Sequence, residues 1–170
     1  MKIGIIVYSQ TGNTYSVAQN LKEKLKTAGH VAEIERVTST GEATPGSKNF
    51  QFDALPVVDP YDLLVFGAPT HAFSLAPVMT AYLDQLSSLK GKKIACFVTK
   101  QLPFHWTGGK QAISRMKKIC EAKGGTVYGM EIVIWSKSKH IENMRRCITN
   151  LGNQILNLTS ENNTDQINDK

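Results

Sequence analysis

Short, nearly unbroken apolar runs alternate along the chain with stretches whose apolar residues recur every three or four positions. Ile3-Gly4-Ile5-Ile6-Val7-Tyr8, Leu63-Leu64-Val65-Phe66 and Ile94-Ala95-Cys96-Phe97-Val98 have no polar face. Such runs suit strands buried on both sides of a parallel sheet. Val31 to Val37 is half polar, and Tyr128, Met130, Ile132 and Ile134 fall on alternate positions with Glu131 opposite. Those two patterns predict edge strands. Helical stripes lie between them: Val17, Leu21, Leu25 and Ala28; Met79, Leu83 and Leu86; Ile113, Met116 and Ile119 or Cys120. A last stripe runs through Ile141, Met144, Ile148, Leu151, Ile155 and Leu158.

This order of strand and helix predicts an α/β fold: an open, doubly wound sheet of five parallel strands with helices on both faces. With the first strand central and the second at an edge, the order 2-1-3-4-5 fits. One domain is expected over residues 1–158, followed by a polar, flexible tail over 159–170 that holds a single apolar residue. Residues 38–60 hold three prolines and two glycines and show no helical stripe where a crossover helix should sit. A connection of that length without regular structure is expected to be functional or mobile.

Length and composition agree with one compact unit, since 170 residues with 41% hydrophobic content can bury an ample core. The apolar run at the N-terminus is too short for a signal-peptide core or a membrane span, so a cytoplasmic protein with no membrane span is expected. Cys96, Cys120 and Cys147 are odd in number and widely spaced, which indicates neither a disulfide framework nor a zinc site. The formal charge of +6 first suggests a polyanion partner. Residues 91–150 alone carry a net +9, mostly on helix positions expected to be solvated, without an interleaved aromatic platform. Nucleic acid is therefore not expected.

Ligands of such sheets sit beyond the carboxyl ends of the strands where the strand order reverses. The loop there after the first strand is Ser9-Gln10-Thr11-Gly12-Asn13-Thr14. Three hydroxyls, a glycine and the free N–H groups of a helix start can hold a phosphate without any basic side chain. Helix capping alone needs fewer such residues. The loop has neither the G-x-x-x-x-G-K-[ST] nor the G-x-G-x-x-G spacing, and lacks the acidic residues of a receiver-type Mg²⁺ site.

Ser9 to Thr14 after a first strand resembles the phosphate loop of the flavodoxin family, and the likeness extends over about residues 1–158. Without an insertion in the fifth strand, the chain is similar to the short-chain flavodoxins. The resemblance implies a non-covalently bound FMN. By that resemblance Pro69, Thr70, His71, Ala72 and Phe73, after the third strand, would line the flavin ring, although Phe73 could equally be a core aromatic. After the fourth strand, Thr99, Lys100 and Gln101 would offer backbone donors to the ring, with Phe104, Trp106 and Gly108 in the same loop. Phe104, His105 and Trp106 are aromatics in a surface loop, which need either a ligand to cover them or a fold back onto the domain. A positive charge from Lys100 would favour a reduced anionic flavin.

No residue is assigned a catalytic role: His71 and His105 could relay protons, but a hydrogen-bonded loop histidine is commoner. Two functions stay open: an electron carrier between proteins, or an NAD(P)H-dependent FMN-containing quinone reductase. Residues 67–80 and 99–111 hold no Asp or Glu. The partner expected is then an acidic redox protein, or a small anionic substrate such as NAD(P)H with a quinone as acceptor.

Overall fold

The computed structural model describes residues 1–41, 43, 49–102, 108–136 and 139–165, with side chains as far as Leu158. Five parallel strands form its centre: β1 (Lys2–Val7), β2 (Val31–Arg36), β5 (Leu63–His71), β7 (Lys93–Lys100) and β8 (Thr126–Ile134). They run in the order β2-β1-β5-β7-β8, the expected 2-1-3-4-5. Helices α1 (Asn13–Thr27), α2 (Pro77–Gln85), α3 (Gly109–Ala122) and α4 (His140–Asp165) make the connections and close the chain.

The three central strands alternate residue by residue between two cores, as the period of two requires. Ile3, Ile5, Val7, Leu63, Val65, Ala95 and Phe97 pack with α1 and α4 on one face. Ile6, Leu64, Phe66, Ile94, Cys96 and Val98 pack with α2 and α3 on the other. Polar edge positions are also accounted for on β2, where the Tyr61 hydroxyl lies 3.0 Å from a carboxylate oxygen of Glu33 and of Glu35 and shares its one proton between them.

Three expectations need correction. Residues 38–60 contain regular structure: β3 (Thr38–Gly41) and β4 (Phe50–Ala54) form an antiparallel ribbon. Phe50 and Phe52 meet edge to face at 5.5 Å between ring centroids and pack on the core, where a crossover helix would have lain. In β8 the pairing with β7 slips by one residue, Ile94 opposing Val127 and Ala95 opposing Gly129. Tyr128 is the extra residue of a bulge, so it leaves the expected alternation and is exposed, as is Met130 on this outer strand. In α4 the buried stripe runs through Cys147, Leu151, Ile155 and Leu158, while Ile141 is exposed. The helix backbone continues past Leu158 to Asp165.

The connection after β5 is a tight hairpin rather than an open loop. β6 (Ser74–Leu75) pairs antiparallel with the end of β5, His71 opposite Ser74. The two turn residues between them, Ala72 and Phe73, both hold positive φ, 40° and 65°. Positive φ at both positions is the mark of a type I′ hairpin turn, and it costs a residue with a Cβ about 1–2 kcal/mol.

Candidate functional site

The carboxyl ends of β1, β5 and β7 open into one cavity of about 600 Å³, at the point where the strand order reverses. That volume suits a ligand of cofactor size.

Its first wall is the turn from β1 into α1. Gly12 is the N-cap of α1 at φ 87°, a left-handed conformation that turns the chain into the helix. Ser9 is buried behind the wall, and its hydroxyl accepts the Tyr15 N–H at 3.2 Å. The capping expected of this loop is thus done by Ser9, and Gly12 O accepts the Ser16 N–H at 2.8 Å. Asn13 and Thr14 come earlier in the first turn, so their N–H groups have no intrahelical acceptor. Gln10, Thr11, Asn13 and Thr14 line the cavity, with no acidic residue in the first turn of the helix. The arrangement offers hydroxyls, amides and the positive end of a helix dipole to an anion.

The β5–β6 hairpin makes the second wall, and all five residues expected there, Pro69 to Phe73, line the cavity. Phe73 is 52% exposed at the hairpin tip, so it is not a core aromatic under the next helix. His71 is half-buried and meets the Tyr8 ring edge to face at 6.4 Å between centroids. Burial holds its imidazole below the ordinary pKa, partly offset by a hydrogen bond with the Ala43 backbone. Burial also raises the Tyr8 phenol, against a smaller lowering by its hydrogen bond with Ser39. Ala43, which follows the unforeseen strand β3, therefore reaches the site and lines the cavity.

The third wall is the end of β7, where Thr99, Lys100 and Gln101 all line the cavity. Thr99 and Lys100 are 4% and 8% exposed. Burial lowers the Lys100 ammonium below its ordinary pKa. Its stem runs beside the start of α3, where a Cβ added to Gly109 would lie 3.0 Å from Lys100 Cδ. Among the described lining residues there is one lysine, one histidine and no carboxylate. Phe104, His105 and Trp106 lie outside the described residues. Gly108, expected at the ring, is the buried N-cap of α3 at φ 81° and packs against the Phe73 backbone, outside the lining.

Ala43, Leu102 and Trp135 line the cavity without having been singled out in the sequence. Trp135 follows β8, its backbone N–H donating to the Lys100 carbonyl at 2.7 Å and its ring tilted against His140 at 5.3 Å between centroids. An aromatic directly after the last strand, at the ligand end of the sheet, was the signal available. No group of His, Cys, Asp and Glu among the described residues could hold a metal ion, and no described helix is long and apolar enough to cross a membrane.

No family model matches the sequence. The NAD(P)H dehydrogenase (quinone) of Azorhizobium caulinodans is 30% identical over 95 residues, 52% of this chain and 48% of that protein. The protein of the same name from Archaeoglobus fulgidus is 27% identical over 129 residues, 65% of this chain and 66% of its own length. The chain thus spans about half the length of the first of these relatives. Oxidised flavodoxin 1 from Bacillus cereus superposes with a TM-score of 0.67 at 19% identity, over 92% of this chain and 98% of its own. Fusobacterium nucleatum flavodoxin bound to flavin mononucleotide gives 0.62 at 16% identity, over 94% and 98%. The fold is flavodoxin-like.

Proposed function

We propose that this chain binds FMN non-covalently and passes electrons through it. The observation that carries the reading is the cavity itself, which joins an anion-accepting turn to an apolar mouth of Ala72, Phe73, Leu102 and Trp135, with no carboxylate among its described walls. A dianionic phosphate suits the Thr11, Asn13 and Thr14 end, and a flat apolar ring suits the other. Bound flavin supplies one- and two-electron redox chemistry. The chain's part is to anchor the phosphate, to position the ring between the hairpin and the end of β7, and to hold a cation, Lys100, inside the cavity.

The test is the double variant Thr11→Ala with Thr14→Ala. Hydrogen bonds to a charged group are worth about 1.5–3 kcal/mol each, so FMN affinity should fall by about 100-fold or more. Riboflavin, which has no phosphate, should bind the variant and the wild type alike. Unchanged FMN affinity would sink the assignment.

A second reading, an NAD(P)H-dependent quinone reductase of the cytoplasm, is favoured by the names of the sequence relatives and by the carboxylate-free walls, which would admit an anionic nicotinamide. The carrier reading instead calls for an acidic redox partner at the same face. Anaerobic mixing with NADPH separates them. Rapid bleaching followed by reoxidation with a quinone identifies the reductase, whereas no bleaching and slow reduction in two resolved steps by dithionite identify the carrier.

A further inference from the structure

We infer that Thr99, on the fourth strand of the sheet, is a positioning residue for the phosphate and acts through Thr14. The inference rests on the FMN reading above and assigns a role to a side chain that lies far along the chain from the phosphate loop. Thr14 Oγ1 and Thr99 Oγ1 are 2.8 Å apart, between residues 85 positions apart in sequence. Thr14 is 1% exposed and Thr99 4%, and both line the cavity.

The proton inventory of the pair sets its direction. Each hydroxyl has one proton to donate and two lone pairs to accept with. Their mutual bond consumes one proton and leaves one. A phosphate dianion only accepts, so beside an anion the spare proton must be on Thr14 and point at it. Thr99 must then donate to Thr14 Oγ1, and Thr14 to the phosphate. The opposite polarity would aim a lone pair of Thr14 at the anion. Donation from Thr99 also strengthens the Thr14 donor, because hydrogen bonds in a chain polarise one another.

Orientation is the second contribution. A threonine side chain has alternative χ1 rotamers, each of which aims its hydroxyl in a different direction. The bond to Thr99 holds the Thr14 hydroxyl at the cavity instead. Thr99 sits where β7 is paired on both sides, with Pro69 of β5 and Val133 of β8, so its own position is fixed by the sheet.

Thr99→Val removes the hydroxyl and keeps the shape, and valine suits a buried strand. Dissociation constants for FMN and for riboflavin should be measured by flavin fluorescence on the whole chain. Losing one net hydrogen bond, FMN should bind about 3- to 10-fold more weakly. Riboflavin should bind within about twofold of the wild type, and Thr99→Ser should restore FMN affinity. If Thr99→Val weakens both ligands equally, Thr99 serves only the fold and the inference fails. It fails too if the preference for FMN over riboflavin is unchanged. A wild type that binds FMN no more tightly than riboflavin refutes the phosphate site itself and the Thr99 role with it.

Discussion

Gly108→Ala should destabilise the protein through a contact that lies on the rim of the cavity. Gly108 holds φ 81°, where an alanine costs about 1–2 kcal/mol by itself. A Cβ built there would also lie 2.2 Å from Cα, C and O of Phe73, far inside any tolerable contact. The neighbour cannot yield cheaply, because it is backbone. Phe73 is held by the ladder pairs Thr70 with Leu75 and His71 with Ser74, and is already left-handed. Overpacking of this kind adds about 1–3 kcal/mol, for a total of about 2–5. Gly12→Ala is the matched control: φ is 87°, but nothing lies within 4 Å of the added Cβ. It should cost only the conformational part, about 1–2 kcal/mol. For a chain of this size 1 kcal/mol moves Tm by about 2–4 °C, so losses of about 4–20 °C and about 2–8 °C are expected. Urea titrations followed by circular dichroism, without added flavin, give the free energies directly. Equal losses in the two variants would refute the claim that the Phe73 turn is rigid.

Acid should destabilise the fold through His71. Its pKa is lowered in the folded state from an ordinary 6.5, mainly by burial, so above pH 6.5 folded and unfolded chains are both neutral there. Below that pH the unfolded chain takes up a proton that the folded one resists, and stability falls until the lowered folded pKa is reached. His71→Asn should flatten this part of the urea midpoint against pH profile; an unchanged slope would exclude His71 as its source. The three thiols should be silent in the folded protein. Cys96, Cys120 and Cys147 are at most 1% exposed. A hydrogen bond with Cys120, then burial, raises the Cys96 thiol, and burial pushes Cys147 up to about 12. Ellman's reagent at pH 8 should find no thiol in buffer and all three in 6 M urea, and any fast-reacting thiol in the native protein contradicts the packing described.

The parallel sheet was legible because its central strands are covered on both faces and so carry no polar alternation to confuse with a helix. Features that depend on pairing were not. Among the described residues β3 and β4 pair with each other alone, and their only large apolar side chains are Phe50 and Phe52. Those two, separated by Gln51 and followed by Asp53, do alternate as a strand should, but over too few residues to outweigh the surrounding prolines and glycines. The bulge at Tyr128 leaves no local mark either. One inserted residue shifts the phase of a strand, and only the register with β7 reveals where it lies. In α4 the apolar stripe was right over Leu151, Ile155 and Leu158, but nothing in the pattern excluded the exposed Ile141.

The site divides along the same line. Its anion end is local, six consecutive residues at a strand-to-helix turn, and such a turn can be read directly. The apolar end is assembled from segments far apart in sequence: Ala43, the Ala72–Phe73 tip, Leu102 and Trp135. The hairpin tip is the least legible of these. A two-residue turn with both φ values positive ordinarily shows itself as Asn-Gly or Gly-Gly, and here it is built from Ala72 and Phe73. Such strain persists only where the surroundings over-determine it. The β5–β6 ladder does so from within the hairpin, and Gly108 from outside, where the missing Cβ leaves room for the Phe73 backbone. Glycine is thus absent from the turn that needs it and present at the helix start packed against it. That exchange leaves a full aromatic side chain, half exposed, at the mouth of the cavity.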